Sequence, residues 1–290
     1  MRETTSQTES TTPSSRAGWL ARLRGPLGAT AVVGVLTIAT AGAAFSAEAP
    51  TWKEFKASAF QDDDGTYVVN GDEPAFNVGE LQEFYDRMTN EQHGHTDPLS
   101  LVVNRVNGKD DKWSATAALN ITYCINTASF GTQASTVATA ITNAAAAWQA
   151  AAKVKFVYKS AQNGNCTKTN SNVVFDVRQV TTSAYLARAF FPSSARTNRE
   201  LLVSSYAFQT GNSWSLTGIL RHELGHTLGF RHEHTRPEAG TCFEDSNWRA
   251  LTSYDSASVM HYPECNGTNT GDLVLTDKDK YGAKALYGAP

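Results

Sequence analysis

The chain has 290 residues, 41% of them hydrophobic and 18% charged, with four Cys, seven His and a formal net charge of -3. That length suits one catalytic-sized domain with a substantial core plus a smaller segment, and leaves little room for two large domains. The near-neutral balance excludes the strongly basic class that binds nucleic acid, yet it is uneven: residues 47–111 carry five Lys or Arg against 14 Asp or Glu, and residues 112–290 carry 16 against 12.

A polar, Ser/Thr-rich start leads to Arg16, Arg22 and Arg24, then to an uncharged run over 25–47 that ends in small residues around Ala44-Phe45-Ser46. Residues 1–46 therefore read as a secretory signal peptide, removed on export. The run is diluted by Ala, Gly and Thr, so cleavage is favoured over a membrane anchor, and no stable membrane association is expected afterwards. Residues 47–111 read as a small, polar segment. It offers a strand at Thr66–Val69, a turn at Asn70-Gly71-Asp72, a helix from Val78 to Met88 with Leu81, Phe84 and Tyr85 on one side, and a loop over 92–98 that holds His93 and His95.

From Lys112 onward strands and helices interleave. Strands are expected at Leu119–Ile125, Val154–Tyr158, Val173–Val177 and Leu201–Tyr206, with a further extended stretch at Tyr185–Phe191 stopped by Pro192. A helix from Ser135 to Ala152 would bury Val137, Ile141, Ala145 and Trp148. Such a pattern favours a mixed sheet with helices packed on it. Thr276 and Asp279 suit the capping box of a last short helix. All four cysteines lie in this part, an even number that fits an oxidising compartment. Of the three pairings, Cys124–Cys166 with Cys242–Cys265 is favoured because each closes a local loop, although spacing alone does not fix connectivity.

The most informative helix is N-capped by Ser215, runs through Ile219, Leu220, Leu224 and Leu228, and stops at Gly229. It carries His222-Glu223-Leu224-Gly225-His226-Thr227-Leu228-Gly229-Phe230-Arg231-His232. His222 and His226 stand four apart and project from one side of the helix. Gly229 permits the sharp turn that brings His232 back as a third ligand, which leaves one coordination position for water. Glu223, next to the first ligand, is placed to take a proton from such a water during attack on a carbonyl and to deliver it to a departing amine. The chemistry is peptide hydrolysis, with one catalytic Zn2+ as cofactor and proteins or peptides as substrates.

Downstream, Ser258-Val259-Met260-His261-Tyr262-Pro263 makes the whole resemble the metzincin zinc metallopeptidases, a family marked by the long histidine motif followed by a methionine-containing turn beneath the metal. The resemblance covers roughly 113–290. It implies an α+β catalytic domain with a mixed, mostly parallel twisted sheet, a central zinc-binding helix and a Met-turn at Met260, preceded by a small pro-segment over 47–111. His232-Glu233-His234, Arg236 and the Met260-His261-Tyr262 run look like the astacin branch. That branch implies Tyr262 as a phenol that ligates zinc and swings to stabilise the transition state, and Glu233 as the buried partner of the mature N-terminal amine. It also implies an Asp after a Gly in the pro-segment, here Asp72, as the latch on the zinc. Leu186 to Pro192 is similar instead to the edge strand that holds substrate in the matrixin branch, where a His that helps to bind a second zinc stands in place of Arg188. The expected activity is that of a secreted zinc endopeptidase made as an inactive precursor and activated by a cut between about Asp97 and Trp113. The alternatives are a secreted zinc-binding recognition module without turnover and an amidohydrolase of cell-wall peptides.

Overall fold

The computed structural model describes residues 50–90, 101–209 and 213–290; the signal read at 1–46, His93 and His95 lie outside the described residues. The N-terminal part consists of α1 (Trp52–Ser58), β1 (Phe60–Gln61), β2 (Tyr67–Val69), β3 (Glu73–Ala75) and α2 (Val78–Asn90). A capping box between Thr51 and Glu54 starts α1, satisfying amide donors that the first turn leaves without helical partners. The three strands form an antiparallel sheet. Alternation along β2 divides its side chains between two surroundings. Tyr67 and Val69 join Ala75, Leu81 and Phe84 in a cluster of this part's own, whereas Val68 packs with Tyr185 and Leu202 of the main body.

The body contains β4 (Val102–Val106), β5 (Lys109–Asp110), α3 (Ala115–Ala118), β6 (Ile121–Ile125), α4 (Thr127–Phe130), α5 (Ala134–Ala151), β7 (Phe156–Tyr158), β8 (Phe175–Val180), β9 (Ala187–Arg188), β10 (Glu200–Ser204), α6 (Leu216–Thr227), β11 (Trp248–Ala250) and α7 (Asp277–Tyr287). Its main sheet runs in the order β7-β6-β8-β10-β9. The first four strands are parallel, and β9 is an antiparallel edge paired to β10. The mixed, mostly parallel α+β architecture expected from the sequence is present. Val137, Ile141, Ala145 and Trp148 of α5 are buried as the helical spacing requires. The Trp148 indole N–H donates to the Arg221 carbonyl at 2.9 Å, fixing α5 against α6. The stretch read as a strand at 185–191 shortens to two paired residues, Ala187 and Arg188 against Val203 and Leu202.

Residues 101–111, grouped with the acidic segment on sequence grounds, pack into the body. β4 pairs antiparallel with β11, and Leu101, Val102 and Val103 are fully buried. The Arg231 amide donates to the Val102 carbonyl at 3.0 Å and the Asn104 amide to Gly229 at 2.8 Å, which braces the turn that follows α6. That turn needs a glycine. Gly229 has φ +96°, and a Cβ there would run into the Asp111 carbonyl oxygen. Both locally favoured disulfides are formed, Cys124–Cys166 and Cys242–Cys265. Among the described residues no helix is long and apolar enough to cross a membrane.

Candidate metal centre and active site

α6 starts at Ser215, whose hydroxyl accepts from the Gly218 amide at 3.0 Å, and is buried along nearly its whole length. The expected division into a core side and a metal side holds, but the metal side is covered as well. His222 and His226 project from the last turns, and the bend at Gly229 returns His232 to them. The Nε2 atoms of His222 and His226 are 3.2 Å apart, and those of His222 and His232 are 3.3 Å apart. Nitrogens bound tetrahedrally at about 2.0–2.1 Å from zinc stand roughly 3.3–3.4 Å from one another, so the spacing fits a shared ion.

Each ring is turned by the partner of its other nitrogen. Nδ1 of His222 faces the Val259 carbonyl at 2.7 Å, that of His226 faces the Phe230 carbonyl at 2.8 Å, and that of His232 faces Glu244 Oε1 at 2.6 Å. Three acceptors on the outer nitrogens leave three Nε2 lone pairs converging, which is the tautomer a metal requires. Three imidazole nitrogens with one carboxylate in reach are a borderline-soft donor set suited to zinc and unsuited to calcium or magnesium.

Asp72 completes the group. Its Oδ2 lies 3.2 Å from His222 Nε2, and its Oδ1 lies 3.4 Å from His226 and 3.1 Å from His232. The four residues, all buried, make a set able to hold one metal ion. Burial opposes ionisation of Asp72, but the His232 and His226 rings outweigh it and hold its carboxyl well below the usual range. The backbone reaches this depth through Gly71, at φ +94°, where an added Cβ would come within 3.0 Å of the Tyr262 phenol. Tyr262 donates its hydroxyl to Asp72 Oδ2 and lays its ring against His232, centroids 4.5 Å apart.

Glu223 is fully buried, and neither of its carboxylate oxygens has a hydrogen-bond partner. Burial, with the Asp72 charge adding to it, raises its carboxyl well above the ordinary range. A carboxyl group kept dry and unsatisfied beside three converging imidazoles costs stability, and groups of this kind concentrate at functional sites. Met260 is also fully buried, its sulfur against Gly225 of α6. Its turn is closed by the His261 amide on Ser258 at 3.1 Å and joined to the third histidine's segment by the Glu233 amide on the Met260 carbonyl at 2.8 Å. Glu233 receives the Asp255 amide at 3.0 Å on Oε1, while Oε2 is buried without a hydrogen bond.

Sequence reading missed a second ring of residues. Arg231 is buried among three carboxylates: it binds Asp245, Glu244 at 2.9 Å, and Glu73 at 3.4 Å. Arg188, read only as a departure from the matrixin pattern, is buried and bound to Asp62 at 2.7 Å, with the Tyr185 hydroxyl on the same carboxylate at 3.0 Å. The only signal for these contacts was the opposite charge of the two parts, which names no partner.

The description "Matrixin" belongs to the family model that matches residues 112–239. A bone morphogenetic protein 1 homolog from Strongylocentrotus purpuratus is 34% identical over 95 residues, 25% of this chain and 15% of that protein. An astacin-like metalloendopeptidase from Coturnix japonica is 41% identical over 71 residues, 18% of this chain and 17% of that protein. The chain thus spans under a fifth of the length of these two relatives. Among solved structures, high choriolytic enzyme 1, a hatching enzyme zinc-protease from Oryzias latipes, is 22% identical with a TM-score of 0.41, covering 62% of this chain and 96% of that one. The family model and the astacin-type relatives support a metzincin metallopeptidase.

Proposed function

We infer that this metallopeptidase is a secreted, zinc-dependent endopeptidase made as a latent precursor, with Asp72 of the acidic segment as the latch. The observation that carries the reading is the convergence of three Nε2 atoms, those of His226 and His232 at 3.2 and 3.3 Å from that of His222, beside the unpartnered carboxylate of Glu223. His222, His226 and His232 would hold zinc, which when bound acidifies a water and polarises the scissile carbonyl.

The chain's own groups carry the rest. Glu223 takes the proton of the attacking water and gives it to the departing amine, a role that its place one residue past the first ligand suits. Tyr262, freed from Asp72, donates its phenol to the carbonyl oxygen as charge develops there. The outer edge of β9 offers unpaired backbone groups to an extended peptide. Glu233 Oε2 is a buried acceptor for the new N-terminal amine. The activating cut belongs N-terminal to Leu101, since a later one would strip β4 from β11. Export agrees with the two disulfides. A recognition module without turnover has no use for a buried, unsatisfied Glu223.

The test is Glu223→Ala in the processed protein, with zinc content and casein cleavage measured together. Zinc should stay stoichiometric while cleavage falls by about 10²–10⁴-fold. Undiminished cleavage contradicts the mechanism.

A further inference from the structure

Two of the three histidines lean on backbone. Val259 belongs to the buried turn around Met260 and Phe230 to the segment tied to β4, so neither acceptor can move without dislodging an element. His232 is different. It lies beyond the end of α6, on the N-terminal side of a three-residue turn at Glu233–Thr235, and its Nδ1 partner is a side chain, Glu244.

Glu244 is itself held from several directions. Oε1 receives His232 at 2.6 Å and His234 Nε2 at 3.2 Å, and Oε2 receives Arg231 at 2.9 Å. The His234 ring stacks on His232 with centroids 4.6 Å apart, and its Nδ1 accepts the Tyr262 amide at 3.2 Å. Two residues before Glu244, Cys242 is bridged to Cys265, three residues past Tyr262. The same Arg231 also reaches Glu73, the residue after the latch Asp72. One carboxylate therefore touches the third ligand, the histidine beside it and the arginine that binds the acidic segment.

We propose that Glu244 is a positioning residue for the metal centre: it sets the ring of His232 as third ligand and, through Arg231 and Glu73, joins that ligand to the segment that carries the latch. The proposal rests on the metallopeptidase reading and adds to it a residue outside the histidine motif. Partners of this kind, hydrogen-bonded to the outer nitrogen of a ligating histidine, typically govern metal affinity by about 10–100-fold. Loss of Glu244 leaves His232 without its acceptor and Arg231 short of one counter-charge.

The experiment uses the full-length precursor. Zinc affinity is measured by chelator competition, and the visible spectrum of the cobalt-substituted protein is recorded for the parent, Glu244→Ala, Glu244→Gln and His232→Ala. Glu244→Ala should bind zinc about 10–100-fold more weakly and show an altered cobalt spectrum, while His232→Ala loses more affinity. Glu244→Gln keeps an oxygen that accepts from Nδ1, so it should recover most of the affinity and the parent spectrum. Parental affinity and spectrum in Glu244→Ala overturn the proposal. Equal loss in Glu244→Ala and Glu244→Gln also overturns it, since general damage to the loop would do the same. A parent that binds neither metal overturns the metallopeptidase reading itself, an outcome distinct from a zinc-binding parent with an indifferent Glu244→Ala.

Discussion

Residues 101–290 are held together by a continuous apolar core beneath a five-stranded sheet, whereas residues 50–90 own a cluster of only five buried residues and meet the rest through a set of ion pairs beside a few apolar contacts. Asp62 binds Arg188 at 2.7 Å, Glu73 binds Arg231 at 3.4 Å, and Arg87 binds Asp245 at 3.2 Å. An outer pair joins Asp64 to Lys168 at 3.4 Å. Apolar contacts accompany them: Val68 and Phe60 pack with Tyr185 and Leu202, and Phe76 packs against the main core. The body builds the histidine cradle, and the acidic segment fills it. Ion pairs favour attachment with a defined register, yet allow release into water, where charged groups are well solvated and an apolar interface would not be.

The sharpest way to break this division is Asp72→Ala. If the segment silences the body through one carboxylate, the mutant precursor should cleave casein before processing, rising from background toward the rate of the processed form. A mutant as silent as its parent would show that coverage of the cleft by the segment suffices without the latch.

A smaller effect tests where the two parts divide. A body beginning at Lys112 lacks Leu101, Val102 and Val103, each fully buried. At about 1.5–3 kcal/mol per buried apolar side chain, it should lose on the order of 5 kcal/mol relative to a body beginning at Leu101. Thermal unfolding of the two forms decides the point, and equal melting temperatures would return 101–111 to the acidic segment.

The smallest effects grade the attachment itself. Arg188 is 1% exposed, so Asp62→Ala should loosen docking by about 3 kcal/mol. The Lys168 side chain is 44% exposed, so Lys168→Ala, which removes only the outer pair with Asp64, should cost under about 1 kcal/mol. Hydrogen exchange over 50–90, set against 101–290 in the same molecule, reads both. Equal effects would mean that burial does not rank these pairs.

The same division separates what could be read in the sequence from what could not. The helix with His222 and His226, the turn at Gly229, the buried face of α5 and the capping box at Thr276 and Asp279 follow from local spacing, and local spacing is where periodicity carries information. The pairing of β4 with β11 joins segments about 140 residues apart, and nothing in Val102–Val106 alone names Trp248–Ala250 as its partner. Asp72 was placed by family resemblance, since no spacing links it to residues 150 positions away. Glu244, Arg231, Glu73 and the Asp62–Arg188 pair belong to the same unreadable class. Each looks like an ordinary surface charge until the chain is folded, and burial then makes them partners.

The central claim, that three imidazoles and one aspartate gather around a single zinc, is tested most directly by zinc-edge X-ray absorption of the precursor and of its Asp72→Ala variant. The account predicts three nitrogens and carboxylate oxygen at about 2.0–2.2 Å in the precursor, with the three nitrogens kept in the variant. A sulfur shell near about 2.3 Å, or fewer than three imidazoles, would contradict it.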